Sequence, residues 1–224
     1  MTDQFKKKWQ EGQLSVWKED IPRIEVFFRR FNVETRELFD KLFTLDYSVI
    51  RPVIYLVGKI ERMISVCDFL DTLAENKDEN VDKSKIFYLI SHSEIIMNNL
   101  RLATQKTRKA ELVNNFFAPV IDQLQQYTFK LTIRDANKLR KMKQETSASR
   151  ILYKIRNEYV HQGNFVGKVF KIDSTEWKDQ DFSFDWDIPN DQPLSVYGKT
   201  NLMYSQFLKI YFSAFAANLK EYMK

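Results

Sequence analysis

From Ile50 to Leu73 the apolar residues Val53, Val57, Ile60, Ile64, Cys67 and Leu70 recur every three or four positions. This is the period of an amphipathic helix, and Pro52 suits its first turn, where the missing N–H has no helical partner to lose. The polar stretch ENKDENVDKS ends that helix, and Ile86, Leu89, Ile90, Ile96, Met97 and Leu100 then mark another, expected to be its antiparallel neighbour. A third helical region runs from about Arg108 to Tyr127, with Pro119 placed to kink or split it, and Leu131 to Met142 continues the pattern. Ahead of them, Ile21 to Phe31 and Thr35 to Leu45 read as shorter helices.

The segment SASRILYKIRNEYVHQG sets Ile151, Leu152, Ile155 and Tyr159 on one helical face and stops at Gly163. Beyond it the period changes. Phe182, Phe184, Trp186 and Ile188 alternate with Asp181, Ser183, Asp185 and Asp187, which predicts a strand, with Phe165 to Ile172 as its hairpin partner. Tyr204, Phe207, Leu208, Tyr211, Phe215, Leu219 and Tyr222 give a last helix a broad aromatic face, most simply core and in part a candidate dimer surface. The expected architecture is one mostly α domain: helices over 1–48 and 49–164, a β-hairpin insertion within 165–198 (strands at about 165–190), and a C-terminal helix over 199–224.

Composition sharpens this picture at a few points. Only 5 Gly and 5 Pro among 224 residues leave few breakers, which favours long helices. A single cysteine, Cys67, excludes an intrachain disulfide, and the polar start MTDQFKKKWQEGQ has no signal-peptide core, so a cytoplasmic setting is expected. The longest apolar run, Val53 to Val57, is far short of the roughly 20 residues of a membrane span. A net charge of +5 permits a polyanionic partner without requiring one. No Gly-rich phosphate loop, GxSxG elbow, HExxH or paired cysteine occurs, which removes the common nucleotide hydrolases, α/β-hydrolases and zinc enzymes.

What remains for chemistry is the run R-N-E-Y-V-H. Arg156 and His161 bring a permanent cation and a base titrating near neutrality to one helix end. RNA cleavage uses such a pair. The 2′-hydroxyl must lose a proton to attack the adjacent phosphate and the 5′-oxygen must gain one on leaving, which suits His161. Charge then builds on the phosphoryl oxygens, where the Arg156 guanidinium can hold two of them, while Asn157 can orient the phosphate or the imidazole. Five residues of ideal helix turn about 140° and rise about 7.5 Å, so one copy does not easily close both groups on a single phosphate.

LYKIRNEYVHQG, with Arg156, Asn157 and His161 set among Leu152, Ile155 and Val160, resembles the HEPN domains (higher eukaryote and prokaryote nucleotide-binding). Their ribonuclease members carry an Arg, a polar residue that is often Asn, a few variable positions and then His, near the end of a helix in an all-α bundle. The resemblance implies a homodimer whose two motifs meet at a shared cleft. It further implies cleavage of RNA without a metal or other cofactor, in toxin–antitoxin or antiviral defence systems where an antitoxin or regulatory protein is a further partner. The alternative it leaves is a non-catalytic helical module of the same fold that binds nucleotide, RNA or a partner protein.

Plainer roles compete at each position. Arg156 can form a salt bridge to Glu158 or to a neighbouring helix, and His161 can face the C-terminal dipole of its helix. Lys138, Arg140, Lys141 and Lys143 in KLRKMK can grip an RNA backbone or simply form a solvated face. Asp181, Asp185 and Asp187, with no His or Cys beside them, read as the wet side of a hairpin and not as metal ligands. His92, mid-helix, reads as structural.

Overall fold

A computed structural model describes residues 3–74, 81–102, 106–127, 129–132, 147–161, 166–167, 169–170, 180–186 and 194–224 of the protein. It is mostly helical. The helices are α1 (Asp3–Arg29), α2 (Arg36–Leu42), α3 (Tyr47–Ala74), α4 (Val81–Asn99), α5 (Lys109–Phe117), α6 (Ile121–Gln125), α7 (Ala148–His161) and α8 (Tyr204–Tyr222), with a 3-10 turn at Ala118–Val120. Strands β1 (Phe129–Thr132), β2 (Val166–Gly167), β3 (Gln180–Trp186) and β4 (Leu194–Thr200) form one antiparallel sheet in the order β1-β4-β3-β2. Among the described residues, no helix is long and apolar enough to cross a membrane.

α4 organises the bundle. Ile86, Leu89, Ile90, His92, Ser93, Ile96 and Met97 are buried on different sides of it, as expected for a helix surrounded by others. It packs on α3, α5, α7 and α8. The aromatic face of α8 is core: Phe207, Tyr211, Phe212 and Phe215 are fully or almost fully enclosed. Phe28 of α1 stacks on Phe215 at 5.9 Å between centroids, and Phe31 stacks on Phe212 at 4.2 Å. Asn218, buried on the same helix, donates to the carbonyls of Phe116 and Ala214, so both amide N–H groups are satisfied within the bundle.

Four elements differ from these expectations. α3 begins at Tyr47, so Pro52 lies inside it and not in its first turn. α1 begins at Asp3, far ahead of Ile21, and runs through Pro22. Its N-terminal half has few apolar residues, and tertiary contacts hold it: Trp17 stacks on Tyr47 at 5.5 Å and Trp9 meets the same ring edge-on at 6.0 Å. Leu131 begins no helix; it lies in β1, paired with Gly198. The remainder of the expected Leu131–Met142 helix lies outside the described residues from position 133 onward. The sheet is also more than an inserted hairpin, because β1 joins it from ahead of α7. Within the predicted hairpin, Val166 and Gly167 do pair with Ser183 and Phe182, but β4 is the longer partner of β3.

β3 alternates as expected, with Phe182 and Phe184 buried and Ser183 and Asp185 partly exposed. Asp185 accepts a hydrogen bond from Ser195 at 3.1 Å. The side chain of Asp181, and Asp187 altogether, lie outside the described residues. Opposite Phe182 stands Gly198, where an added Cβ would overlap the Phe182 ring. Glycine is therefore needed for space. Gly198→Ala is expected to lower stability by about 1–3 kcal/mol, read from urea unfolding, because ring and strand must separate. An unchanged midpoint would mean that the ring moves aside freely.

Candidate functional site at the end of α7

α7 starts where its sequence allows a cap. The Arg150 N–H donates to Ser147 Oγ at 3.3 Å, and Ser149 Oγ donates to Asn114 Oδ1 of α5 at 2.7 Å. Ile151, Leu152 and Ile155 are then buried, as their spacing predicts, and lay the helix on α4 and α5. The side chain of Tyr159, expected on that face, lies outside the described residues. Arg156, one residue beyond Ile155, comes to the edge of the contact with α4.

There it meets a polar group supplied mostly by α4. Arg156 Nε donates to Ser91 Oγ at 3.3 Å, Nη1 to Asn157 Oδ1 at 3.0 Å and Nη2 to Glu94 Oε2 at 3.3 Å. Nη2 also lies 3.2 Å from Glu94 Oε1, and the two side chains are only 11% and 9% exposed. The Phe87 and Tyr153 rings approach the guanidinium at 5.9 and 6.0 Å from their centroids. Arg156 is thus the clasp between α4 and α7. Burial pushes the Glu94 carboxyl above the usual carboxylate range, opposed by the charges of Arg156 and Lys109.

A guanidinium has five N–H groups, and three make hydrogen bonds among the described residues, which leaves two for another acceptor. Asn157 uses its oxygen to hold Arg156, so its first role is to orient the cation. His161 is the last residue of α7, and its side chain lies outside the described residues. The α7 backbone carries it about 140° around and about 7.5 Å along from Arg156. Lys138, Arg140, Lys141 and Lys143 also lie outside the described residues.

Ser91, Glu94, Phe87 and Tyr153 are functional neighbours of Arg156 that its motif does not include. Tyr153 had a signal, three residues before Arg156 on one helix. Ser91 and Glu94 had only the weaker one of a four-residue polar run, Ser91 to Glu94, between apolar residues of α4, and no sequence rule pairs that run with α7. His92, next to them, is structural: it is fully buried, and its Nδ1 lies 2.8 Å from the Tyr211 hydroxyl of α8. Compared with known protein families, curated proteins and solved structures, the chain finds no match.

Proposed function

We propose that the protein is a metal-independent endoribonuclease of HEPN type, acting as a homodimer through Arg156 and His161. The observation that carries this reading is the guanidinium itself, fixed in place by Ser91, Asn157 and Glu94, with two of its five N–H groups making no hydrogen bond among the described residues. In the reaction, the 2′-oxygen of the substrate bonds to phosphorus and the bond to the 5′-oxygen breaks, leaving a 2′,3′-cyclic phosphate and a 5′-hydroxyl. His161 takes the 2′-hydroxyl proton or supplies one to the departing 5′-oxygen, and Arg156 neutralises charge on the phosphoryl oxygens. The separation of the two residues around α7 favours a cleft between two copies, in which each helix end contributes to one phosphate. With the resemblance comes a role in toxin or antiviral defence, with an antitoxin or regulatory protein as a further partner.

One observation favours a second reading. Glu94 already neutralises Arg156, as it would in a non-catalytic module of similar fold where the pair only clamps α4 to α7. Cleavage of mixed RNA in excess chelator separates the two. The ribonuclease reading expects cyclic phosphate ends, no cutting where the 2′-oxygen is missing, loss of turnover in His161→Ala, and activity per chain that falls on dilution through dimer dissociation. Undiminished turnover in His161→Ala would overturn it.

A further inference from the structure

A groove of about 940 Å³ runs between α1 and α3, and a second of about 680 Å³ adjoins it. Arg51 and Tyr55 line both, so the Tyr55 ring stands as a ridge with open volume on either side, and the residue is 57% exposed. Arg51, Tyr55, Lys59 and Arg62 follow one another at intervals of four, four and three residues, hence along one face of α3 over about 16 Å. Lys59 Nζ lies 3.3 Å from the Tyr55 hydroxyl and 5.3 Å from its ring centroid.

The two acids of the larger groove, Asp20 and Glu61, both pair with Arg23, while Arg51, Lys59 and Arg62 have no ion pair among the described residues. Between them, Gly58 leaves bare helix backbone, with nothing within 4 Å of where a Cβ would stand. An exposed ring flanked by cations with no ion pair among the described residues, along a straight track, matches the requirements of one polymer class. Bases stack on the ring and phosphates follow the cations, whatever the sequence.

We propose that this α1/α3 groove binds single-stranded RNA, with a base on Tyr55 and phosphates on Arg51, Lys59 and Arg62. The choice of RNA as the strand rests on the ribonuclease reading, whereas the groove itself asks only for an unpaired polyanion with stackable bases. A duplex hides its base faces and lacks the ring contact. An acidic amphipathic helix is the competing occupant; it would be held by apolar side chains in a hole, and Tyr55 is a ridge.

The test is fluorescence anisotropy with a labelled single-stranded oligodeoxynucleotide, which has no 2′-hydroxyl, so that binding is read apart from cleavage. Tyr55→Leu should weaken binding about tenfold through lost stacking. Arg51→Gln and Arg62→Gln should each reduce the slope of log affinity against log salt by about 0.7. Gly58→Glu should abolish binding, the duplex form should bind far more weakly, and the charge-matched change Lys209→Gln on α8 should alter nothing. The changed side chains are exposed or face open space, and circular dichroism checks that each variant folds. Wild-type affinity in Tyr55→Leu and Gly58→Glu would overturn the proposal. So would an acidic amphipathic peptide that binds the groove while the oligonucleotide does not. If those variants bind normally while RNA cleavage still depends on His161, the tract alone is wrong; if the oligonucleotide binds as expected and no RNA is cut, the ribonuclease reading alone is wrong.

Discussion

Arg156→Ala is expected to lose about 3–5 kcal/mol of folding stability at neutral pH, besides any activity, because it strips the partner from a buried carboxylate. Glu94 is 9% exposed and its carboxyl is already raised by burial, with Arg156 the first opposing influence. Without the guanidinium the carboxylate must stay ionised in a poor environment or take up a proton. The sign of the pH effect follows. A carboxyl raised further in the folded variant makes the native state bind more protons than the unfolded chain, so stability falls as pH rises and recovers on acidification.

Urea unfolding of Arg156→Ala should therefore show a deficit that shrinks as pH is lowered towards the carboxyl range. Glu94→Gln combined with Arg156→Gln should restore most of the stability, since two neutral amides can hydrogen-bond where an unpaired charge cannot. That double variant isolates function from folding. On the ribonuclease reading it folds and does not cut. A deficit below about 1 kcal/mol in Arg156→Ala would place the pair among weak surface bridges and remove its role as a clasp.

His92 should control the acid limit of the fold. It is fully buried, and burial first, then the charge of Lys59, lower its pKa to about 3 from 6.5, against a smaller raising influence from the Leu56 backbone. Its Nδ1 is occupied by Tyr211, while its Nε2 has no partner of normal hydrogen-bond geometry, so an added proton would bring charge into apolar surroundings. The unfolded chain then binds the proton more readily than the native state. Stability is fully present above about pH 6.5 and is lost as pH falls from there towards 3.

The loss amounts to about 3 kcal/mol by pH 4.5 and about 4–5 kcal/mol near pH 3, a large share of the roughly 5–15 kcal/mol that holds a domain folded. Comparing wild type with His92→Gln separates this from the other acids. The variant is less stable at pH 7, where Tyr211 loses its fitted partner, and its stability should decline less steeply between pH 7 and 4.5. Parallel pH profiles for the two proteins would show that His92 takes up its proton without difficulty in the fold.

Much of the secondary structure could be read from the chain because its cause is local. The intervals of Val53, Val57, Ile60 and Ile64 produce α3; those of Ile86, Leu89 and Ile90 produce α4; and the alternation from Asp181 to Trp186 produces β3. In α3 and β3 one periodic face is buried, α4 is buried on several sides, and in each the period is written in neighbouring residues. The run from Arg156 to His161 also falls at the end of a helix as its sequence predicts, since Ile151, Leu152 and Ile155 fix the buried face of α7 and Ser147 starts it.

Tertiary structure decided the rest, wherever the cause is a contact between distant segments. α1 extends to Asp3 because Tyr47 receives Trp9 and Trp17. Leu131 joins a strand because β4 offers it a free edge, and an edge overrides a weak helical period. Arg156 carries the same signal in sequence whether it waits in solvent for a phosphate or lies against Glu94. Only the packing of α4 on α7 sets that distance at 3.2 Å, because the desolvation that turns a surface charge into a buried clasp comes from the neighbouring helix and not from the motif.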